Sequence, residues 1–457
     1  MKKALFKFVA VLLTLCTCFG CMSCKQEPEN PNGDGETKEL LFWCNVGLVS
    51  QWEQRMQEFT KQTGIKVKVE GVQAGSWGEF AQQIATSAYA GILPDCGDLA
   101  TEAITSLVAS DMLYPIDEYL ARDKEEMADS VAQMLDKLYN AHKYDDKIYS
   151  LPTTWNRTVL YYNKNVLKNA GVLPDNPHYP HEGWTIEDFL YCCDAICKNN
   201  VVSGANNTYA YKLTNEYFLT IEPWLRAFDA SILSDDWSTS TIASQNAKDC
   251  FAMLNSMINN TDPKKQYSPK MGGTEEYDLF YSNRLGFMSV TMEYVYYLYS
   301  GNFNNSGKDP SKLREAYDVV SFPSIDGTVR TTIGVGACPI FKTSQNKEAA
   351  WELCKFISSK KFQEEYLTEV SWAIPSIKSA FDIMTQKEYF PEHGEIFYTA
   401  LDYATPVPAP SSYNAIELEV RKWFGGYMAG TKGFTLDGTS KNSLDSLANA
   451  LNMYLGD

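Results

Sequence analysis

A chain of 457 residues is longer than one ordinary domain of roughly 100–200 residues and predicts at least two. With 44% hydrophobic and 21% charged residues, its composition is that of a soluble globular protein, which excludes a disordered, collagen-like or polytopic membrane chain. A net charge of −17 argues against a general nucleic-acid binder, because phosphate neutralisation needs Lys and Arg, and the four His limit imidazole chemistry. The unusual feature is a 13% aromatic content, with 28 Tyr and 10 Trp.

The chain opens with Lys2, Lys3 and Lys7 around an apolar run from Phe8 to Phe19. That run has signal-peptide length and is short for a bilayer span. Cys21 follows Phe19-Gly20 and Cys24 follows Met22-Ser23, and a polar Pro/Gly-rich stretch, Lys25 to Glu36, comes next. Such a stretch cannot bury a core. The segment resembles a bacterial lipoprotein signal. The resemblance implies a signal peptide over 1–23, lipidation at Cys24 with Cys21 as the alternative, and a tether over 24–38. An ordinary secretory signal is the other reading.

Four of the twelve Cys lie in this leader, and the remaining eight (Cys44, Cys96, Cys192, Cys193, Cys197, Cys250, Cys338 and Cys354) are too sparse for a disulfide scaffold. These eight include no CxxC pair to suggest zinc, so they are expected as small core residues, mostly free thiols, and no metal or cofactor is expected.

Glu39 to Trp43 reads as a buried strand, Val49–Gln62 as a helix closing at Gly64, and Ile65–Val72 as an alternating strand. A Gly/Ser loop at Gly75-Ser76-Trp77, a helix to about Tyr89 and a turn at Gly91–Pro94 follow. Strand, helix, strand, helix opens an α/β fold with a mostly parallel sheet. Further on, Leu160–Tyr162 is a strand, Val166–Ala170 a short helix ending at Gly171, and Trp184–Lys198 a helix entered through Thr185. Residues 205–318 read as mainly helical. Tyr317–Phe322 and Ile333–Phe341 read as strands, Asn346–Ser358 and Lys361–Thr368 as helices, and the last 90 residues as helical.

Several of these pieces carry a recognisable signature. They include Glu58 to Glu70, Ala90-Gly91-Ile92-Leu93-Pro94-Asp95, Asp111 to Asp117, Tyr149 to Pro152, Leu160 to Lys164, Trp184 to Phe189, Leu285 to Met288, Ala349 to Glu352 and Ala373 to Ser376. In this order, over residues 39–380, the chain resembles a family 1 extracellular solute-binding protein, the sugar-binding component of an ABC importer. The resemblance implies an α/β, two-lobed, periplasmic-binding-protein-like fold of type II with a ligand cleft and hinge crossovers. The implied lobes are 39–152 plus 319–372 and 153–318 plus 373–457, with crossings near 152–156, 319–323 and 372–375.

Other chemistries lack their motifs. There is no GxxxxGK[ST] loop, no HExxH and no GxSxG, and Gly334-Val335-Gly336 is a lone GxG. A sugar offers an apolar face and a rim of hydroxyls, so its site needs aromatics, carboxylates and amides on loops past strand ends. The candidates are Asn45, Trp77, Glu102, Trp155, Asn156, Tyr217, Trp224, Glu293, Tyr294, Trp372 and Tyr413. A carboxylate matching Glu102 contacts sugar in the maltose-binding branch of the family, which has Glu where Asn156 stands. Trp43, Trp52, Trp184 and Trp351 are expected in the core. The function implied is an extracytoplasmic, lipid-anchored, monomeric carbohydrate-binding protein that serves ABC permease subunits and catalyses nothing. A secreted glycan-active enzyme and a sensor or adhesin on the same fold are the alternatives.

Overall fold

A computed structural model of the protein describes residues 39–202, 204–272, 276–292, 294–295, 313–368, 373–387 and 390–456. The leader with Cys21 and Cys24, and the candidates Glu293 and Trp372, lie outside the described residues. Strand β1 (Glu39–Asn45) lies between β2 (Lys66–Val72) and β3 (Cys96–Gly97), both parallel to it. Helix α1 (Val49–Thr63) connects β1 to β2 and stops at Gly64, whose φ of 74° favours glycine. Its buried face is Trp52, Arg55, Met56 and Phe59, at the three- and four-residue spacing that the sequence shows. Helix α2 (Trp77–Tyr89) follows β2. After β3, β4 (Leu99–Ala100) leads directly into α3 (Thr101–Ala109).

A short hairpin, β5 (Lys143–Tyr144) and β6 (Lys147–Ile148), precedes β7 (Pro152–Asn156). Only Arg157 and Thr158 separate β7 from β8 (Val159–Asn163), although the two belong to different sheets. The later strands are β9 (Tyr209–Tyr211), β10 (Leu285–Val290), β11 (Tyr317–Val320), β12 (Thr332–Ala337), β13 (Ile374–Pro375) and β14 (Thr405–Pro406). One sheet runs β13-β7-β12-β14, with β4 also on β12, and another runs β11-β8-β10-β9. Residues 205–318, expected mainly as helix, therefore also supply β9 and β10, while β11 falls within the strand expected over Tyr317–Phe322. Leu285–Val290 is buried at every position, and such a run has no alternation to mark it as a strand.

The two strands read around residues 317–341 do not pair with each other. Val319 and Val320 lie opposite Tyr161 and Leu160 of β8, whereas Val335 lies opposite Trp155 of β7. Ile377 bridges to Met134 and its N–H donates to Gln363 Oε1, so the residues after β13 still pack with the β1 side of the molecule. The helix expected over Lys361–Thr368 is α-helical at Lys360–Phe362 and widens to a π turn at Gln363–Leu367.

Separate apolar cores follow from this wiring. Around β1 pack Phe42, Trp52, Phe59, Trp351 and Ile357, with Trp43, Phe80 and Ile104 on the other face. The far core holds Trp184, Phe189, Trp224, Phe251 and Trp423. Between them a third core joins Trp155 and Val335 to Tyr161, Tyr294 and Phe397. Trp43, Trp52, Trp184 and Trp351 are all buried, and the eight Cys beyond the leader are buried free thiols. The helix Ile186–Cys197 starts with a capping box in which Thr185 and Asp188 exchange hydrogen bonds.

Arg157, wholly buried, holds the passages between sheets together. Its Nη1 donates to Ile396 O at 2.9 Å and to the Tyr403 hydroxyl at 3.0 Å, and its Nη2 donates to Ser321 Oγ at 3.1 Å. Ser321 and Tyr403 in turn donate to Glu182 Oε1, at 2.9 and 3.4 Å, which relays a carboxylate to the buried cation. A hydrogen bond from a charged group contributes about 1.5–3 kcal/mol. Arg157→Met is thus expected to lower the unfolding free energy by at least about 2 kcal/mol in urea titration, and an unchanged midpoint would refute this role.

Candidate functional site

The site forms where elements of the β1 side meet elements of the far core. Ser76 caps α2, its Oγ accepting from Glu79 N, and the Glu79 carboxylate accepts from Gly75 N at 2.8 Å. This fixes the loop so that Trp77 and Gly78 form the first turn of α2. Glu102 sits in the first turn of α3 and is buried. Beside it runs Gly334 of β12, where a Cβ would stand 3.2 Å from Glu102 Oε1. Asn156 lies opposite Gly334 across the β7–β12 pair, so the first passage between sheets borders the same carboxylate.

From the far core come two segments. The helix Tyr413–Met428 presents Tyr413, Glu417 and Arg421 at four-residue spacing, on one face. A π turn at Tyr217–Ile221 runs into the helix Glu222–Ala227, and Arg226 Nε donates to Glu222 Oε1 at 2.8 Å. The Tyr217 and Tyr413 rings meet edge to face with centroids 5.6 Å apart. Arg421 donates from Nε to Asn215 O at 2.9 Å and from Nη2 to Glu216 Oε1 at 3.4 Å, and its Nη1 stands 3.6 Å from Glu417 Oε1.

The two sides are in contact. A Cβ on Gly78 would lie 2.8 Å from Asn414 Oδ1, 3.0 Å from Glu417 Oε2 and 3.1 Å from Asn414 Cα. Asn414 Nδ2 donates to Gln82 Oε1 at 2.9 Å, and Ser76 lies within hydrogen-bonding reach of Glu417. The glycine is what allows α2 to approach so closely.

Burial dominates the electrostatics. It pushes the Glu102 carboxyl up to about 7, against a hydrogen bond from its own backbone and with added repulsion from Glu417. Burial likewise raises Glu417, Tyr217 and Tyr413, and Glu222 lies in electrostatic reach of both tyrosines. Several buried polar atoms here have no hydrogen-bond partner among the described residues: Glu102 Oε2, Glu222 Oε2, Tyr217 OH, Asn215 Oδ1 and Ser412 Oγ. Native proteins leave few such atoms, and those grouped here are carboxylate, amide and hydroxyl oxygens that a polar occupant can bond.

Of the candidates read from the sequence, the fold brings together Glu102, Tyr217 and Tyr413, with Trp77 and Asn156 at the border. Asn45 is engaged elsewhere, its Oδ1 accepting from Gly47 N and its Nδ2 donating to Ala74 O. Trp155, Trp224 and Tyr294 are at most 1% exposed and serve as packing. Trp155 packs edge-on to Tyr398, Trp224 sits among Phe189, Tyr211 and Phe322, and Tyr294 stacks on Tyr277. Sequence reasoning missed Glu222, Glu417 and Arg421. The Tyr413-Glu417-Arg421 spacing was the signal for two of them, and Glu222 had none.

Elsewhere, a surface hollow lined by Ala170, Ile196, Asn200 and Asn207 shares no residue with this group. Asp318, Glu392 and His393 lie close enough together to hold a metal ion, but the Lys164 ammonium already sits 3.2 Å from Asp318 and 3.1 Å from Glu392. No described helix is long and apolar enough to cross a membrane.

Sheets joined by short passages, with a polar cluster between helices of the β1 side and those of the far core, give a two-lobed binding-protein fold. An ABC substrate-binding protein of Listeria monocytogenes, solved in complex with cycloalternan, has the same fold, with a TM-score of 0.75 at 20% identity over 92% of this chain and 100% of that one. Residues 54–392 match the bacterial extracellular solute-binding protein family, and the chain belongs to that family, whose place is outside the cytoplasm. An arabinooligosaccharide-binding protein of Bacillus subtilis (strain 168) is 29% identical over 182 residues, 38% of this chain and 39% of that protein. A binding protein of Brucella abortus (strain 2308) is 23% identical over 295 residues, so the match spans 64% of each chain.

A carboxyl that titrates higher in the native state holds its proton while the unfolded chain, at about 4.5, has lost it. Its contribution to stability is therefore full below about pH 4.5 and is lost as pH rises through 7. Glu102→Gln is expected to flatten the decline in melting temperature over this window relative to the parent protein. Parallel pH profiles of the two proteins would contradict the buried, raised Glu102.

Proposed function

We propose that the protein captures a sugar or oligosaccharide outside the cytoplasm and delivers it to the permease of an ABC transporter, itself catalysing no reaction. The observation that carries this is the set of unpartnered, buried polar atoms around Glu102, Glu222 and Tyr217, drawn from both sides of the molecule. A polyol bridging them would satisfy both sides at once and favour the closed arrangement over an open one, which is a population shift. The Tyr217 and Tyr413 rings supply the flat apolar surface that a sugar face needs. The sugar-bound fold relatives and the arabinooligosaccharide-binding protein support the same class of ligand.

On this reading residues 24–38 tether the lobes to the membrane through a lipidated Cys24, or Cys21, and the protein works as a monomer. The lobes exchange chain at 157–158 and between β11 and β12, where sheet membership changes. Facing carboxylates at Glu102 and Glu417 are also what a glycosidase requires, which keeps the enzyme reading as the second one. Release of reducing ends from oligosaccharides, abolished by Glu417→Gln, would establish it in place of transport.

A ligand that binds only the native state raises its melting temperature. A thermal-shift screen over mono- and oligosaccharides is expected to give such a rise, and a flat response to every carbohydrate would refute the proposal. Gly78→Val places methyl groups against the Asn414 backbone and is expected to weaken binding at least about tenfold, ~1.4 kcal/mol. Equal affinity in the variant would show that α2 and the helix Tyr413–Met428 do not close on ligand.

A further inference from the structure

We propose that the pocket selects its ligand by charge: it takes polyhydroxylated molecules that are neutral or carry an ammonium group, and refuses those bearing a carboxylate or phosphate. The inference rests on the carbohydrate reading and deepens it. Its basis is the kind of bonding left open. Above about pH 7, where the buried Glu102 carboxyl is ionised, its Oε2 can only accept, as can Glu222 Oε2 when ionised; Asn215 Oδ1 is an amide acceptor, and Tyr217 OH and Ser412 Oγ can serve either way. An occupant must therefore bring donors. Sugar hydroxyls do so, and an ammonium does so with charge added, whereas a carboxylate or phosphate adds acceptors where acceptors are already in surplus.

The surrounding charges point the same way. Glu102 on α3 faces Glu417 and Tyr413 from the helix Tyr413–Met428, Tyr217 from the π turn, and Tyr144 from the β5 side. Glu216 and Glu79 add to the negative field at Glu417. The cations that bear on this group are Arg226 and Arg421. Each is already engaged, Arg226 with Glu222 and Arg421 with Glu216, Glu417 and the Asn215 carbonyl. Neither guanidinium can turn to an anionic ligand without abandoning a buried carboxylate, which is strongly unfavourable. The same facing carboxylates oppose closure on an empty pocket, so donors from the ligand both fill the site and relieve the repulsion.

The test is calorimetric titration and thermal shift with matched sets: glucose, galactose, xylose and arabinose with their short oligosaccharides, the corresponding 2-amino sugars, the uronates and the sugar phosphates. Supporting results are binding of a neutral member, equal or tighter binding of its amino analogue, and at least tenfold weaker binding of its uronate and phosphate. Glu102→Gln and Glu417→Gln should each narrow the gap between neutral and uronate ligands severalfold. Binding of a uronate or phosphate as tight as that of the neutral sugar overturns the inference and leaves the carbohydrate reading intact. A gap unchanged in both variants also overturns it, because discrimination would then arise elsewhere. Absence of binding by every member overturns the carbohydrate reading, and this inference with it.

Discussion

The structure depends on how one buried guanidinium is satisfied. Arg157 stands between β7 and β8, where the chain leaves one sheet and enters another, and it has no carboxylate in direct contact among the ion pairs of the described residues. It is held instead by a carbonyl, a phenol and a hydroxyl from two other stretches of chain, with Glu182 behind them. A buried charge costs several kcal/mol unless it is hydrogen-bonded, so Ser321, Ile396 and Tyr403 must all be in place whenever Arg157 is. That requirement binds the strands which change sheets at one point. It also leaves the bodies on either side joined there by a shared core that includes Trp155, Tyr161, Tyr294 and Phe397.

The site uses the opposite tactic. Around Glu102 the polar groups are buried without being fully bonded, and several acids lie close together. In isolation this is unfavourable, since low dielectric strengthens repulsion and desolvation alike. Around Glu102 these unfavourable terms lie near the surface where α2 meets the helix Tyr413–Met428, with the π turn at Tyr217–Ile221 beside it. Each side has its own well-packed apolar core, so the tension falls on the approach of one side to the other and not on the folding of either. A molecule with many hydroxyls then controls that approach. This is hinge closure with the ligand supplying the missing bonds.

Much of the fold was legible. Thr185 followed by Asp188 marked a helix start, Gly64 and Gly171 marked helix ends at positive φ, and the alternation after Ile65 marked a strand. These signals are local, and so the structure honours them. Partner choice was less legible. Tyr317–Val320 and Thr332–Ala337 are both short and buried, and nothing within them says that one pairs with β8 and the other with β7. The aromatic surplus was the least legible feature. Trp155, Trp224 and Tyr294 stand on connections or element ends, which suggested ligand contact, yet each is enclosed by other rings. A loop position places a side chain near a surface only if the neighbouring elements leave that surface uncovered.

The sequence by itself determined the α/β class, most helix termini, the free core thiols and the resemblance in motif order to a binding-protein family, because each rests on residues close together in the chain or on a linear pattern. It also named Glu102, Tyr217 and Tyr413, although more than 300 residues separate the first from the last. Only the tertiary structure decided that these three meet, that Glu222 and Glu417 join them, and that Asn45, Trp155, Trp224 and Tyr294 do not. The reason is physical: whether a carboxylate is exposed and ordinary or buried, raised and unsatisfied depends on what packs over it. Glu102 packs beside Gly334 of β12 and lies in electrostatic reach of Glu417, on a helix that begins 311 positions later, at Tyr413, and that Gly78 lets approach α2.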